Sequence, residues 1–248
     1  MRKFLGITGL AAAALYVWAQ GSGAGLLGGF QKALTEAQTL TAEYTVMRNL
    51  GAKTPIRIDL AKPNMAKIDR PTELIVADGT TITTYDKVNK TYLKQAQTPA
   101  DLREKLSADE YVVWSAFFMP DAFAKVSSKN LGKKNRKGMV LNVVEAKADA
   151  EGRKVVTLYL SDKDNIARQA EIVVTNPDAK DSLVLDTLNV AVGSAVDAGL
   201  FAFKAPEGSR QLSEDELNSA KWYSDLDEAL KVAARTKRLV LLDFYTEW

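Results

Sequence analysis

Apolar and polar residues alternate with a period of two through much of the first half of the chain. Ile56, Ile58 and Leu60 are separated by Arg57, Asp59 and Ala61, and the run from Ile75 to Tyr85 is broken only by Asp78-Gly79. Successive side chains of a strand point to opposite faces, so the region from Glu43 to Gln95 is predicted to form antiparallel strands joined by tight turns. Pro55, Pro63 and Pro71 punctuate it. Proline has no N–H to give to a ladder, which places these residues at strand ends or edges.

Other periods flank this region. Leu26, Leu27, Phe30, Ala33, Leu34 and Ala37 recur at spacings of three and four, predicting one amphipathic helix that ends near Thr39. Asp101 to Phe123 is helical in composition and gathers Tyr111, Val112, Val113, Trp114, Phe117, Phe118, Met119 and Phe123 within thirteen residues. Strands resume from Met139 to Val192. Val155 to Leu160 is apolar on both faces and is expected to be covered on both sides. Phe201 and Phe203 read as a last short strand. Asp162-Lys163-Asp164-Asn165 resembles part of a calcium loop but lacks the later Gly and Glu and sits between strands, so a hairpin turn is expected.

The amino terminus has the layout of a secretory signal peptide over residues 1–20. Arg2 and Lys3 precede an apolar run of 14 residues from Phe4 to Val17, short of the ~20 needed to span a bilayer, and Val17-Trp18-Ala19 offers small residues for cleavage after Ala19. An uncleaved anchor is the alternative; either way the remainder is expected to be exported, to the periplasm or its equivalent. Without Arg2 and Lys3, 31 basic residues face 31 acidic ones, a balance that argues against a nucleic-acid partner. The chain has no Cys and no His. Thiolate and imidazole metal sites, Cys nucleophiles and Ser-His-Asp arrangements are therefore excluded, and no catalytic residue, metal site or cofactor is expected.

Several motifs in family order resemble the periplasmic outer-membrane lipoprotein carriers, the LolA-like proteins, over about residues 23–210. They are Lys62-Pro63-Asn64-Met65, the hairpin Asp78-Gly79-Thr80-Thr81-Ile82-Thr83-Thr84-Tyr85-Asp86, Thr98-Pro99-Ala100-Asp101-Leu102, and Phe201 to Gly208. The resemblance implies an α+β fold: a strongly curved, incomplete antiparallel β-barrel with a helical lid over an apolar cavity. It implies a carrier or sensor of acyl chains, of lipoproteins or of other hydrophobic ligands, with a membrane-bound donor or receptor as a further partner. Such a carrier needs a lined hollow rather than a nucleophile, because hiding an acyl chain is worth ~0.8 kcal/mol per methylene.

On this reading Met65, Ile68, Leu74, Val76, Ile82, Trp114, Phe117, Phe118 and Met119 line the cavity and lid. The alternative reading of the aromatics is an ordinary core helix, the more usual role of such a stripe. A charge at Phe117 or Phe118 is expected to abolish acyl binding without unfolding the sheet. Lys62 reads as a lid latch or headgroup partner, or as a solvated lysine before proline; the family usually has Arg there, and aromatic residues at Ile68 and Thr83. Lys125, Lys129, Lys133, Lys134, Arg136 and Lys137 put six basic residues into thirteen, either for docking on anionic headgroups or an acidic partner, or as a solvated loop.

The tail changes period again. Ser224 is placed to cap a helix along which Leu226, Ala229, Leu230 and Ala233 share a face, and Arg238 to Tyr245 reads as a buried strand. Residues 222–248, joined by a linker over 211–221, resemble the truncated start of a thioredoxin-like domain up to the Trp that normally precedes Cys-x-x-Cys. This implies an alternative function: accessory domain of a thiol-disulfide oxidoreductase whose cysteines lie beyond Trp248.

Overall fold

A computed structural model describes residues 23–123, 126–147, 153–177, 179–213, 216, 223–236 and 239–242. The expected leader, most of the linker, Lys125, and the end of the thioredoxin-like stretch lie outside these residues.

The period-two segments form one open, curved sheet of twelve strands. In chain order these are β1 (Thr39–Arg48), β2 (Lys53–Ala61), β3 (Met65–Asp69), β4 (Glu73–Ala77), β5 (Thr81–Asp86), β6 (Thr91–Ala96), β7 (Ser127–Arg136), β8 (Met139–Lys147), β9 (Lys154–Ser161), β10 (Ala167–Asn176), β11 (Ala179–Val192) and the two-residue β12 (Arg210–Gln211). The spatial order is β12-β6-β5-β4-β3-β2-β1-β11-β10-β9-β8-β7. Each neighbour pairs antiparallel except β12 with β6, so the sheet is two meanders joined where β1 meets β11.

Turn chemistry fixes the hairpins. At the β4–β5 turn Asp78 accepts bonds from the N–H groups of Thr80 and Thr81 at 2.8 and 2.7 Å, and Gly79 follows at φ +97°, a region that disfavours a Cβ. Asp162 to Asn165 forms the β9–β10 hairpin as expected, with Asn165 at φ +57°. Pro55 sits inside β2, yet β3 pairs only with Arg57 to Ala61, so Pro55 occupies a stretch where that side of β2 has no partner strand. The missing N–H costs nothing there.

Across the ladder, Ala42, Ile58, Ile68 and Ile75 lie side by side, as do Leu40, Leu60, Ala66, Ala77 and Ile82. In the other half Leu185, Ala170, Leu158 and Val144 continue this face. It is covered by α1 (Ala24–Glu36), α2 (Asp101–Ser107) and a 3-10 segment, Val112–Phe117. Helix α1 inserts Leu27, Phe30 and Leu34, and sheet and helices share one buried apolar cluster. Fully burying side chains of this size is worth roughly 1.5–3 kcal/mol each.

The opposite face has its own cover. The 3-10 segment Ala198–Phe201 packs on β3, and Phe203 lies 6.1 Å from Tyr85 and 5.1 Å from Tyr92 between ring centroids. The predicted strand at Phe201–Phe203 is thus a 3-10 turn leading into a strap, because its aromatic rings pack on the sheet face and add no edge strand. Two further expectations are corrected. Asp101 to Phe123 is a short α-helix followed by a 3-10 turn rather than one helix. The basic run from Lys129 to Arg136 is strand β7, not a loop. As the outermost strand it needs no apolar residues of its own, and its lysines discourage pairing with another chain.

In the tail, α3 (Leu226–Thr236) forms where the pattern placed it, but Asp225 caps it: its Oδ1 accepts from Glu228 N–H at 2.9 Å. Leu239 to Leu242 carry no strand; Leu239, at 99%, Leu241 and Leu242 are exposed and Val240 is half-buried. Among the described residues they pair with no other strand.

Candidate functional site

The ladder divides the residues expected to line a cavity between two faces. Ile68 and Ile82 lie on the helix-covered face in the same cluster as Trp114 and Phe117, with Phe118 and Met119 half-buried against it. Met65, Leu74 and Val76 point the other way, toward the side that the C-terminal strap covers. Strand β4 carries apolar residues on both faces, and on β3 Met65 shares its face with Lys67 and Asp69, so apolarity alone did not fix which residues face inward.

Trp114 and Phe117, each 1% exposed, occupy the space between cover and sheet. The Trp114 ring lies 5.9 Å from Tyr44, and Phe117 meets Phe118 edge-on at 4.8 Å. The Trp114 indole N–H is buried without an acceptor at hydrogen-bonding geometry. A charge at Phe117 would therefore be buried in the core. Phe118 is half-buried and lines a crevice of about 140 Å³ with Pro63, Asn64, Leu102 and Arg103, where a charge is expected to be accommodated without unfolding the sheet.

The cover is tied down by isolated hydrogen bonds. Tyr44 OH donates to Glu110 O at 2.9 Å, Asn165 Nδ2 to Leu26 O at 3.1 Å, and Gly23 N–H to Ser128 O at 3.2 Å, while within the cover Thr35 Oγ1 donates to Ala116 O at 3.2 Å. Lys62 Nζ donates to Thr35 O, in the last turn of α1, and sits 5.1 Å from the centroid of the Phe117 ring. A cation is favoured at a helix C-terminus and over an aromatic face. Burial lowers the Lys62 ammonium from its ordinary value. This one side chain, rooted just past the end of β2, therefore touches both α1 and the aromatic layer.

On the strap-covered face, Leu141, Val143 and Tyr159 form a second, small cluster. Lys134 Nζ stands 5.4 Å from the Tyr159 ring, and Lys137 reaches across to Asp186 at 3.0 Å. Lys129, Lys133 and Arg136 are exposed along the same edge hairpin. Tyr159 donates to Glu171 at 2.8 Å; burial, then this bond to a carboxylate, raises its pKa to about 12. The folded state thus holds this proton more tightly than the unfolded chain, whose tyrosine titrates near 10. The resulting stabilisation is complete below about pH 10 and is lost as pH rises toward 12. Tyrosinate absorbance, read as the difference between wild type and Tyr159→Phe, is expected to show this late titration, and Glu171→Gln to move it back toward 10.

Sequence reasoning missed a third feature. Pairing of β2 with β3 ends at Arg57 and Asp69, and beyond it a cleft of about 390 Å³ opens among Glu43, Tyr44, Pro55, Ile56, Arg57, Asp69, Arg70, Pro71 and Lys87. The available signals were Pro55 within a strand and the Asp69-Arg70-Pro71 corner opposite it.

No protein-family model and no curated protein matches the chain. Solved structures are similar at low identity. An uncharacterized conserved protein from Thermus thermophilus aligns at 9% identity and TM-score 0.49, covering 76% of this chain and 96% of that one. The Mycobacterium tuberculosis lipoprotein LppX aligns at 11% identity and TM-score 0.43, covering 70% and 96%. A LolA superfamily protein from Nitrosomonas europaea aligns at 12% identity and TM-score 0.32, covering 74% and 98%.

Proposed function

We propose that this chain is an exported carrier or sensor that takes an acyl chain between its sheet and its helical cover. The observation that carries the reading is the aromatic layer of Phe30, Trp114 and Phe117, which the cover turns onto the sheet and which isolated hydrogen bonds, not a backbone ladder, hold there. Lifting such a cover leaves the sheet ladder intact; it costs a few hydrogen bonds, each worth ~1 kcal/mol net, and the burial of Leu27, Phe30, Leu34, Trp114 and Phe117, which an acyl chain taking their place against the sheet would offset at ~0.8 kcal/mol per methylene. In the arrangement described here the protein's own rings fill the site, and a guest would displace them. Lys62 acts as the latch. The exposed basic residues of the β7–β8 hairpin are available to an anionic membrane surface when cargo is received or delivered.

A disulfide staple tests the moving cover. A Cβ at Gly29 on α1 would stand 3.7 Å from Asn165 Cγ on the β9–β10 turn, and the chain has no cysteine to compete. Gly29→Cys/Asn165→Cys is expected to bind a fluorescent fatty acid saturably when reduced and at least tenfold more weakly when oxidised. Equal binding in both states, or no saturable binding by wild type, would overturn the reading.

A further inference from the structure

We infer that the cleft where β3 parts from β2 holds the anionic end of an amphiphile, a carboxylate or phosphate seated on Arg70, with its apolar chain running inward past Ile56 and Tyr44. The chain half of this rests on the acyl-carrier reading; the anion half does not.

The cleft joins the two sides of the sheet. Arg57 and Asp69 belong to the strap-covered face, whereas Tyr44 and Ile56 lie on the helix-covered face, buried to 1% and 2% exposure. Its volume of about 390 Å³ falls within the ~300–1,000 Å³ typical of small-molecule sites. Most of its charges are already matched. Arg57 donates to Asp59 and, at 2.5 Å, to Glu43, and Lys87 pairs with Asp69 and donates to Arg70 O at 2.6 Å.

Arg70 differs. Its Nη1 donates to the Tyr111 hydroxyl at 3.2 Å, its Nε is buried with no partner, and among the described residues no carboxylate reaches it as an ion pair; Glu73 and Glu110 act on it only through space. A guanidinium whose Nε lacks an acceptor leaves a donor unsatisfied, and an oxyanion in its plane would supply that acceptor with bidentate geometry. The same position puts the next atoms of the ligand against Ile56 and the Tyr44 ring, which leads to Trp114, 5.9 Å away. Polar end and greasy wall are therefore in the order that an anionic amphiphile requires.

The test is calorimetric titration of the full chain with myristate, tetradecanol and inorganic phosphate, on wild type, Arg70→Gln and Tyr111→Phe. Tyr111→Phe removes the Arg70 partner without touching the charge and so controls for local packing. Myristate affinity is expected to fall at least tenfold in Arg70→Gln and less than threefold in Tyr111→Phe, with tetradecanol affinity unchanged in both. Phosphate binding that Arg70→Gln abolishes, with neither amphiphile bound by wild type, would support the anion site while the carrier reading fails. Myristate bound equally by wild type and Arg70→Gln would overturn the inference and leave the carrier reading intact. A wild type that binds none of the three overturns both.

Discussion

Trp114→Ala is expected to destabilise the protein by about 3–5 kcal/mol, the usual cost of removing a large aromatic from a packed core. The indole is 1% exposed and packs against Tyr44 in the layer that joins cover to sheet. Most of the loss is packing, since its N–H makes no well-formed hydrogen bond. Trp114→Phe, which keeps a ring and deletes an unsatisfied donor, is accordingly expected to cost less than half as much. Urea unfolding measures both. If the layer is also where a guest sits, the hollow in Trp114→Ala is apolar and reachable, and saturating myristate should restore part of the loss; a ligand at a hundred times its Kd contributes ~2.7 kcal/mol. A loss under 1 kcal/mol would show that the ring does not join the two layers. A full loss that myristate does not relieve would show packing with no access for a guest.

Legibility of the fold followed the exposure of each element. Ile56, Ile58 and Leu60 could be read from alternation because their strand has one greasy face. Leu74 and Val76 could not be oriented, because the strap bearing Phe201 and Phe203 covers their side too, and that packing is made by residues more than a hundred positions away. Strand β7 escaped detection because an edge strand with no fully buried side chain keeps no apolar rhythm. Lys62 was singled out only by its place in a family-like motif; nothing local foretold that its ammonium would meet the end of α1 and the Phe117 ring. Arg70 and the cleft around it arise where two strands diverge, a property of register that single-strand periodicity does not contain.

Asp59 shows the same limit in energetic form. Alternation assigns it to the polar side of β2, yet its side chain is 1% exposed while that of its partner Arg57 is 45% exposed. Its oxygens accept from Arg57 Nε at 2.9 Å, Arg57 Nη2 at 3.0 Å and Thr41 Oγ1 at 2.8 Å. This asymmetry predicts unequal mutants. Arg57→Ala leaves a buried carboxylate with one neutral donor and is expected to cost about 2–3 kcal/mol, toward the lower end for a broken buried pair because water can reach the space the guanidinium vacates. Asp59→Asn keeps the shape and leaves an arginine that water and Glu43 still satisfy, at an expected cost of about 1 kcal/mol. Adding Asp59→Asn to Arg57→Ala removes the stranded charge, so the double mutant should be more stable than Arg57→Ala alone. Denaturant unfolding of the three variants decides it: if Asp59→Asn costs more than Arg57→Ala, or the double mutant is the least stable, the carboxylate does not depend on Arg57 for its burial, and the outer face of β2 is held by packing instead.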